Sequence, residues 1–199
     1  MRNAKGFSEF EFLGLVAAGL LIAGLLSHFI FEQSIQLERM KALVHRDAVR
    51  LNLETHLLDP EVLKKSAQLL SDSTENMVLR ACILGDENGQ LCRKKSGCCV
   101  SRMKKSMPIF ELGDERKLIS GSTASPACLN ETGEAVQNSK DCFASAEVTL
   151  EAACRDGAAT CRQASALLIR YQIQFQQDFL KSDPGLATLE RSISLVLRP

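Results

Sequence analysis

Residues 6–31 open with Gly6-Phe7-Ser8-Glu9-Phe10-Glu11 and continue as FLGLVAAGLLIAGLLSHFIF from Phe12 to Phe31. The second part holds twenty residues without a Lys, Arg, Asp or Glu. As an α-helix at about 1.5 Å per residue it is about 30 Å long, enough to span the hydrocarbon core of a bilayer. Ahead of it stands a short leader, Met1 to Gly6, carrying Arg2 and Lys5 and no acid. The positive-inside rule keeps that leader in the cytoplasm and sends the rest of the chain outward. A secretory signal has a shorter apolar run followed by a small-residue cleavage site. Here Glu9 and Glu11 precede the run, and its far end reads Ser27-His28-Phe29-Ile30-Phe31-Glu32. Carboxylates at the mouth of an apolar span are costly and imply a partner.

These residues resemble the type IV prepilin signal, with a basic leader ending in Gly6, Phe7 as the first mature residue and Glu11 as the fifth. The resemblance implies that a prepilin peptidase cuts between Gly6 and Phe7 and methylates the new amine of Phe7. It also gives Glu11 a role. In a filament, Glu11 of one subunit neutralises the Phe7 amine of its neighbour, and the cost of an unpaired charge there fixes axial register. Glu9 is an extra acid where the family has an apolar residue, and His28 stands where many pilins carry a helix-bending proline. Both departures point to a minor subunit rather than a major pilin.

Within the span, Gly14-xxx-Ala18 and Gly19-xxx-Ala23 are small-xxx-small pairs, with Gly24 one step further. Such pairs let helices pack closely, although glycine is common in membrane helices in any case. From Glu32 to Leu58 the pattern stays helical and becomes amphipathic. Leu37, Met40, Val44, Ala48, Leu51, Thr55 and Leu58 follow three- and four-residue steps, and no Gly or Pro interrupts residues 25–59. One helix is therefore expected over residues 7–58, its first half in the membrane and this apolar face packed on a head, 59–199. Asp59-Pro60-Glu61 then reads as N-cap, first-turn proline and an acid near the helix dipole, opening a short helix to about Leu70.

The head reads mainly as strands. Alternation over Met77 to Ile83, Ala146 to Ala152 and Leu167 to Phe175, with a shorter strand around Ile193, Leu195 and Leu197, predicts an antiparallel sheet lying on the long helix. Eight cysteines all fall between Cys82 and Cys161. The even count favours disulfides over zinc, since there is no CxxC pair and the histidines lie far upstream, and disulfides agree independently with the outward orientation. Strand parity and the Asp156-Gly157 turn signal suggest Cys154–Cys161. Cys128–Cys142 is a second expected bond, and Cys82, Cys92, Cys98 and Cys99 pair among themselves in an order left open.

Lys plus Arg equals Asp plus Glu at 24 each, so net charge points to neither nucleic acid nor an acidic surface. One local exception is Arg93, Lys94, Lys95, Arg102, Lys104 and Lys105, with no acid between Glu87 and Glu111. Its field suits an anionic ligand, or it is a solvated loop tied down by cysteines. No aromatic is interleaved to stack on bases. The chain contains no G-x-S-x-G, H-E-x-x-H or P-loop pattern, so neither an enzyme, a cofactor, a metal nor a small-molecule substrate is expected.

The expected fold is α+β and pilin-like: a long N-terminal helix packed on a disulfide-rich antiparallel head. The expected function is a minor structural subunit of a type IV pilus or related filament. The head would serve adhesion, priming or substrate contact. Its partners would be prepilin peptidase, other pilins or pseudopilins and the inner membrane, which the chain crosses once with its head outside the cytoplasm. A type II secretion pseudopilin and a periplasmic binding module on an uncleaved anchor are the alternatives.

Overall fold

The computed structural model describes residues 9–71, 73–85, 98–112, 114–121, 127–136, 142–176 and 184–197. The chain forms two compact units, one ending at Leu43 and the other Val44–Pro199. Helix α1, Glu9–Leu58, provides the described part of the first unit and the opening segment of the second. In the first unit every described side chain from Phe10 to Lys41 is exposed. Among the described residues α1 is the one helix long and apolar enough to cross a membrane. It passes through His28 without a break, and His28 Nε2 lies 3.3 Å from Glu32, one turn on.

The second unit is α+β. After α1 come α2 (Pro60–Gln68) and α3 (Thr74–Leu84), then β1 (Cys99–Val100), β2 (Lys104–Ser106), β3 (Ile109–Glu111), β4 (Asp114–Ser120) and β5 (Ala127–Leu129). The long strands β6 (Ala144–Ala153) and β8 (Ala166–Phe175) flank the short β7 (Thr160–Cys161), and β9 (Thr188–Val196) closes the described chain. Strands run β2-β6-β8-β9 in one antiparallel sheet, with β5 pairing the start of β6, while β1-β7 and β3-β4 form separate pairs. Alternation decides the faces. Ala144, Ala146, Val148, Leu150 and Ala152 of β6 are buried beside Leu167, Ile169, Tyr171, Ile173 and Phe175 of β8, and the residues between them look outward. β9 runs to nine residues, longer than its alternation suggests, and Leu189 is its one buried member.

The α2 start follows its sequence signals, with the Glu61 amide donating to Asp59 Oδ1 at 2.9 Å. The buried Ser66 Oγ of α2 then accepts from the Phe110 amide at 3.0 Å, tying α2 to β3.

Two expectations are corrected. Residues 77–83 are not a strand but the body of α3, capped by Ser73 Oγ, which accepts from the Asn76 amide, and ended by Gly85 at φ 81°. Alternation is ambiguous there because apolar residues fill both parities. Val78, Leu79, Ala81, Cys82 and Ile83 are all buried, which a two-residue period does not allow. Met, Leu, Arg and Ala are good helix formers, and Arg80 Nε donates to the Ala67 carbonyl at 3.1 Å, satisfying the end of α2.

The second correction concerns the face of α1 that meets the head. Val44, Leu51 and Leu58 are 67%, 54% and 48% exposed, while Val49, Leu53 and Leu57 are fully buried. The helix carries two apolar stripes, and three- and four-residue steps identify a stripe without saying which one the sheet will take. The sheet takes the stripe flanked by His45, Arg46 and Glu54, whose polar ends find partners on the head.

Candidate functional site

Those partners fix the helix in the second unit. Asn130 Oδ1 accepts from the Thr132 amide, the Thr132 hydroxyl and the Glu134 amide, folding residues 130–134 into a tight turn. The turn lies on α1, with Asn52 Nδ2 donating to the Thr132 carbonyl at 3.2 Å and His45 Nε2 standing 3.5 Å from Glu131. At its tip Gly133 has φ 86°, and a Cβ there would sit 2.9 Å from Val49 Cα and 2.9 Å from Asn52 Cβ. His45 also meets Phe143 edge-on, and the Arg46 guanidinium lies 5.9 Å from the Phe175 ring centroid.

Under the sheet, the Tyr171 hydroxyl donates to Glu54 of α1. Burial, then this bond and the Glu54 charge, push the Tyr171 pKa well above its ordinary 10.0, with Arg50 and Arg191 pulling the other way. The unfolded chain therefore ionises first. The contribution of Tyr171 to stability is complete below pH 10.0 and is lost as pH rises through and beyond that value. Tyr171→Phe is expected to cost about 1–3 kcal/mol, because Glu54 loses its donor in a half-buried place. The variant's remaining stability should decline less steeply on the alkaline side. Tyr171 is the only tyrosine and there is no Trp, so tyrosinate absorbance and melting curves on either side of pH 10.0 check this directly. Parallel alkaline slopes for both proteins would show that Tyr171 does not carry the linkage.

With that face occupied, the opposite face of α1 is the most conspicuous uncommitted surface among the described residues. Within the second unit it presents Val44, Leu51 and Leu58 at seven-residue spacing, and in the sequence Leu37, Ile30, Ala23 and Val16 continue that interval. All of these are exposed. Large contiguous apolar surfaces mark sites of protein or membrane contact. A period of seven is the repeat at which helices pair along a seam.

The residues singled out from sequence fall as follows. Gly6 and Phe7 lie outside the described residues. Glu11 is on the first turns of α1, exposed and already engaged in an interaction. A methyl group added at Gly14, Gly19 or Gly24 would meet nothing within 4 Å, and Ala18 and Ala23 are exposed beside them. The three glycines therefore face open space. Disulfides join Cys82 to Cys99, Cys128 to Cys142 and Cys154 to Cys161. Cys98 is also disulfide-bonded, and Cys92 lies outside the described residues.

The basic run is divided. Arg93, Lys94 and Lys95 lie outside the described residues, whereas Arg102 turns the chain at φ 64° and Lys104 and Lys105 belong to β2. On the outer sheet face Lys104 Nζ is 3.7 Å from Glu151, which also accepts from Arg170 at 3.2 Å. Next to them a shallow depression of about 770 Å³ is lined by Glu147, Thr149, Arg170, Gln172, Glu190 and Arg191, which mix both signs of charge with an amide and a hydroxyl. Glu151 is remote from the basic run in sequence, so pairing of β2 with β6, and not local order, puts a carboxylate against Lys104. Comparison with protein-family models, with characterised proteins and with solved structures finds no match to this chain.

Proposed function

We propose that this chain is a minor subunit of a type IV pilus or related filament, trimmed after Gly6, anchored by Phe12–Phe31 and assembled through α1. The observation that carries the reading is the helix itself. One face of its later turns is covered by the chain's own head, and the other keeps Val44, Leu51 and Leu58 in solvent, at the seven-residue interval that the apolar run shares. A membrane anchor accounts for the run up to Phe31. It does not account for the exposed apolar residues beyond, which suit packing against helices of neighbouring subunits. The α+β head with its disulfides and the resemblance of residues 6–31 to the prepilin signal support the same reading. Prepilin peptidase, other pilins and the inner membrane are the partners it implies.

The deciding measurement is the mass and N-terminal sequence of the chain purified from its own membranes. A chain beginning at N-methylated Phe7 is the expected result, and Glu11→Ala should leave that processing intact while lowering incorporation into filaments about tenfold or more, as expected for an unpaired buried amine. A chain that still begins at Met1 defeats the proposal and leaves a head on an uncleaved anchor. Recovery of the processed chain with secretion components, in place of pilus subunits, would move it to a type II secretion pseudopilus.

A further inference from the structure

The connection between β6 and β8 brings two disulfides together. Cys154 follows β6, the turn Arg155–Gly157 reverses the chain, and Cys161 returns in β7 directly opposite Cys99 of β1. Cys99 is bonded to Cys82 near the end of α3, and Cys154 to Cys161. The sulfurs of Cys99, Cys154 and Cys161 all lie within 4.8 Å of one another, and Cys154 Sγ is 3.9 Å from the Cys99 carbonyl oxygen. Exposure falls off along this row. Residues 155–160 are exposed, Cys161 is half-buried, Cys154 is nearly covered, and Cys99 and Cys82 are fully buried. Arg155 and Arg162, both exposed, adjoin the outer bond in sequence. Nearby cations favour thiolate over thiol and so help a sulfur to leave or attack.

We propose that Cys161 is a site of thiol–disulfide exchange for an external thiol, and that Cys154 passes the exchange inward to the Cys82–Cys99 bond. The external thiolate attacks Cys161 Sγ, the half-buried sulfur of the pair. A mixed disulfide forms there, the Cys154–Cys161 bond breaks, and its electron pair leaves on Cys154. The Cys154 thiolate then attacks Cys99 Sγ. A Cys99–Cys154 bond forms, the Cys82–Cys99 bond breaks, and Cys82 leaves as a thiolate that takes up the proton released by the external thiol. Two S–S bonds of the chain become one S–S bond within it and one to the external thiol, so no oxidant is needed. The outcome at the surface is one thiol adduct. Inside, α3 loses its covalent tie to β1 and is held by hydrogen bonds, among them Ala164 N to the Cys82 carbonyl at 3.0 Å and Gln163 Nε2 to the Ile83 carbonyl at 3.1 Å.

The test uses the full-length protein in detergent micelles with one equivalent of reduced glutathione, followed by alkylation and peptide mapping. The expected map shows glutathione on Cys161, a peptide linked through Cys99 and Cys154, alkylated Cys82 and an intact Cys128–Cys142 bond. In the Cys154→Ser, Cys161→Ser double variant, opening of Cys82–Cys99 should slow about tenfold or more, since direct attack must reach buried sulfurs. Equal rates in the two proteins overturn the proposal. So does a Cys161 adduct with no Cys99–Cys154 peptide. Crossed peptides containing Cys128 or Cys142 mean general scrambling and overturn it as well. If the double variant does not fold, the map of the unaltered protein decides alone.

Discussion

Gly133→Ala is expected to destabilise the head by about 2–4 kcal/mol, an unusually large effect for adding one methyl group. Two costs combine. At φ 86° an alanine is strained wherever it stands, and the new Cβ would lie 2.9 Å from Val49 Cα, far inside ordinary contact. Val49 Cα belongs to the helix backbone, which cannot swing aside as a side-chain tip can. The turn must lift instead, and lifting breaks the Asn52–Thr132 hydrogen bond and parts His45 from Glu131. Gly157→Ala supplies the control. Gly157 has φ 71° but nothing within 4 Å of its added Cβ, so its cost should be the backbone strain alone, about 1 kcal/mol. Urea unfolding of the full chain in micelles, followed by the fluorescence of Tyr171, measures both. Equal losses for the two glycines would mean that close approach of the turn to α1 contributes nothing.

The second large effect separates folding from assembly on one helix. Replacing Val44, Leu51 and Leu58 together by serine should leave head stability within about 0.5 kcal/mol per site, because these side chains contact solvent and serine costs only a little helix propensity. On the proposed function, filament incorporation should nevertheless fall to background, because the apolar face available for packing against a neighbour would be gone. Leu53→Ala on the opposite face should do the reverse in order of cause. It removes about 2–5 kcal/mol of head stability by leaving a cavity, and assembly then suffers only to the extent that the head unfolds. Sheared-filament yield against melting temperature for the two variants places each on its own axis. Normal filament yield from the triple serine variant, with normal stability, would remove α1's exposed face from the assembly account.

How far these features can be read from residue order differs from element to element. The apolar run, the Asp59-Pro60-Glu61 start of α2 and the alternation of β6 and β8 are local patterns, written within the segments they describe. The Cys154–Cys161 bond is close behind, because its loop is short and one cysteine continues the buried parity of β6. The choice between the two faces of α1 is not local. It depends on where Tyr171, Phe143 and the Asn130 turn arrive, and Tyr171 is 117 positions away from Glu54. Residues 77–83 mislead for a different reason, since a segment apolar on both parities fits either period, and only the Ser73 cap and Gly85 hint at a helix. Gly133 looks like an ordinary turn glycine until Val49 is seen beneath it. The candidate assembly face is legible as a stripe, but residue order assigns it to the head and the fold leaves it in solvent.

The order in which the chain is made bears on the Glu54–Tyr171 bond. Synthesis runs from the N-terminus, so Glu54 and its buried neighbours Leu53 and Leu57 emerge long before β8, the strand that brings Tyr171. Until the 130–134 turn and then β6 and β8 have been added, both apolar stripes of the later turns of α1 face water. The strands β6, β8 and β9 follow one another closely along the chain and pair antiparallel in that order, so they can close quickly once present. The late part of the polypeptide thus acts as a self-supplied escort for its first helix, claiming one side and leaving the other open.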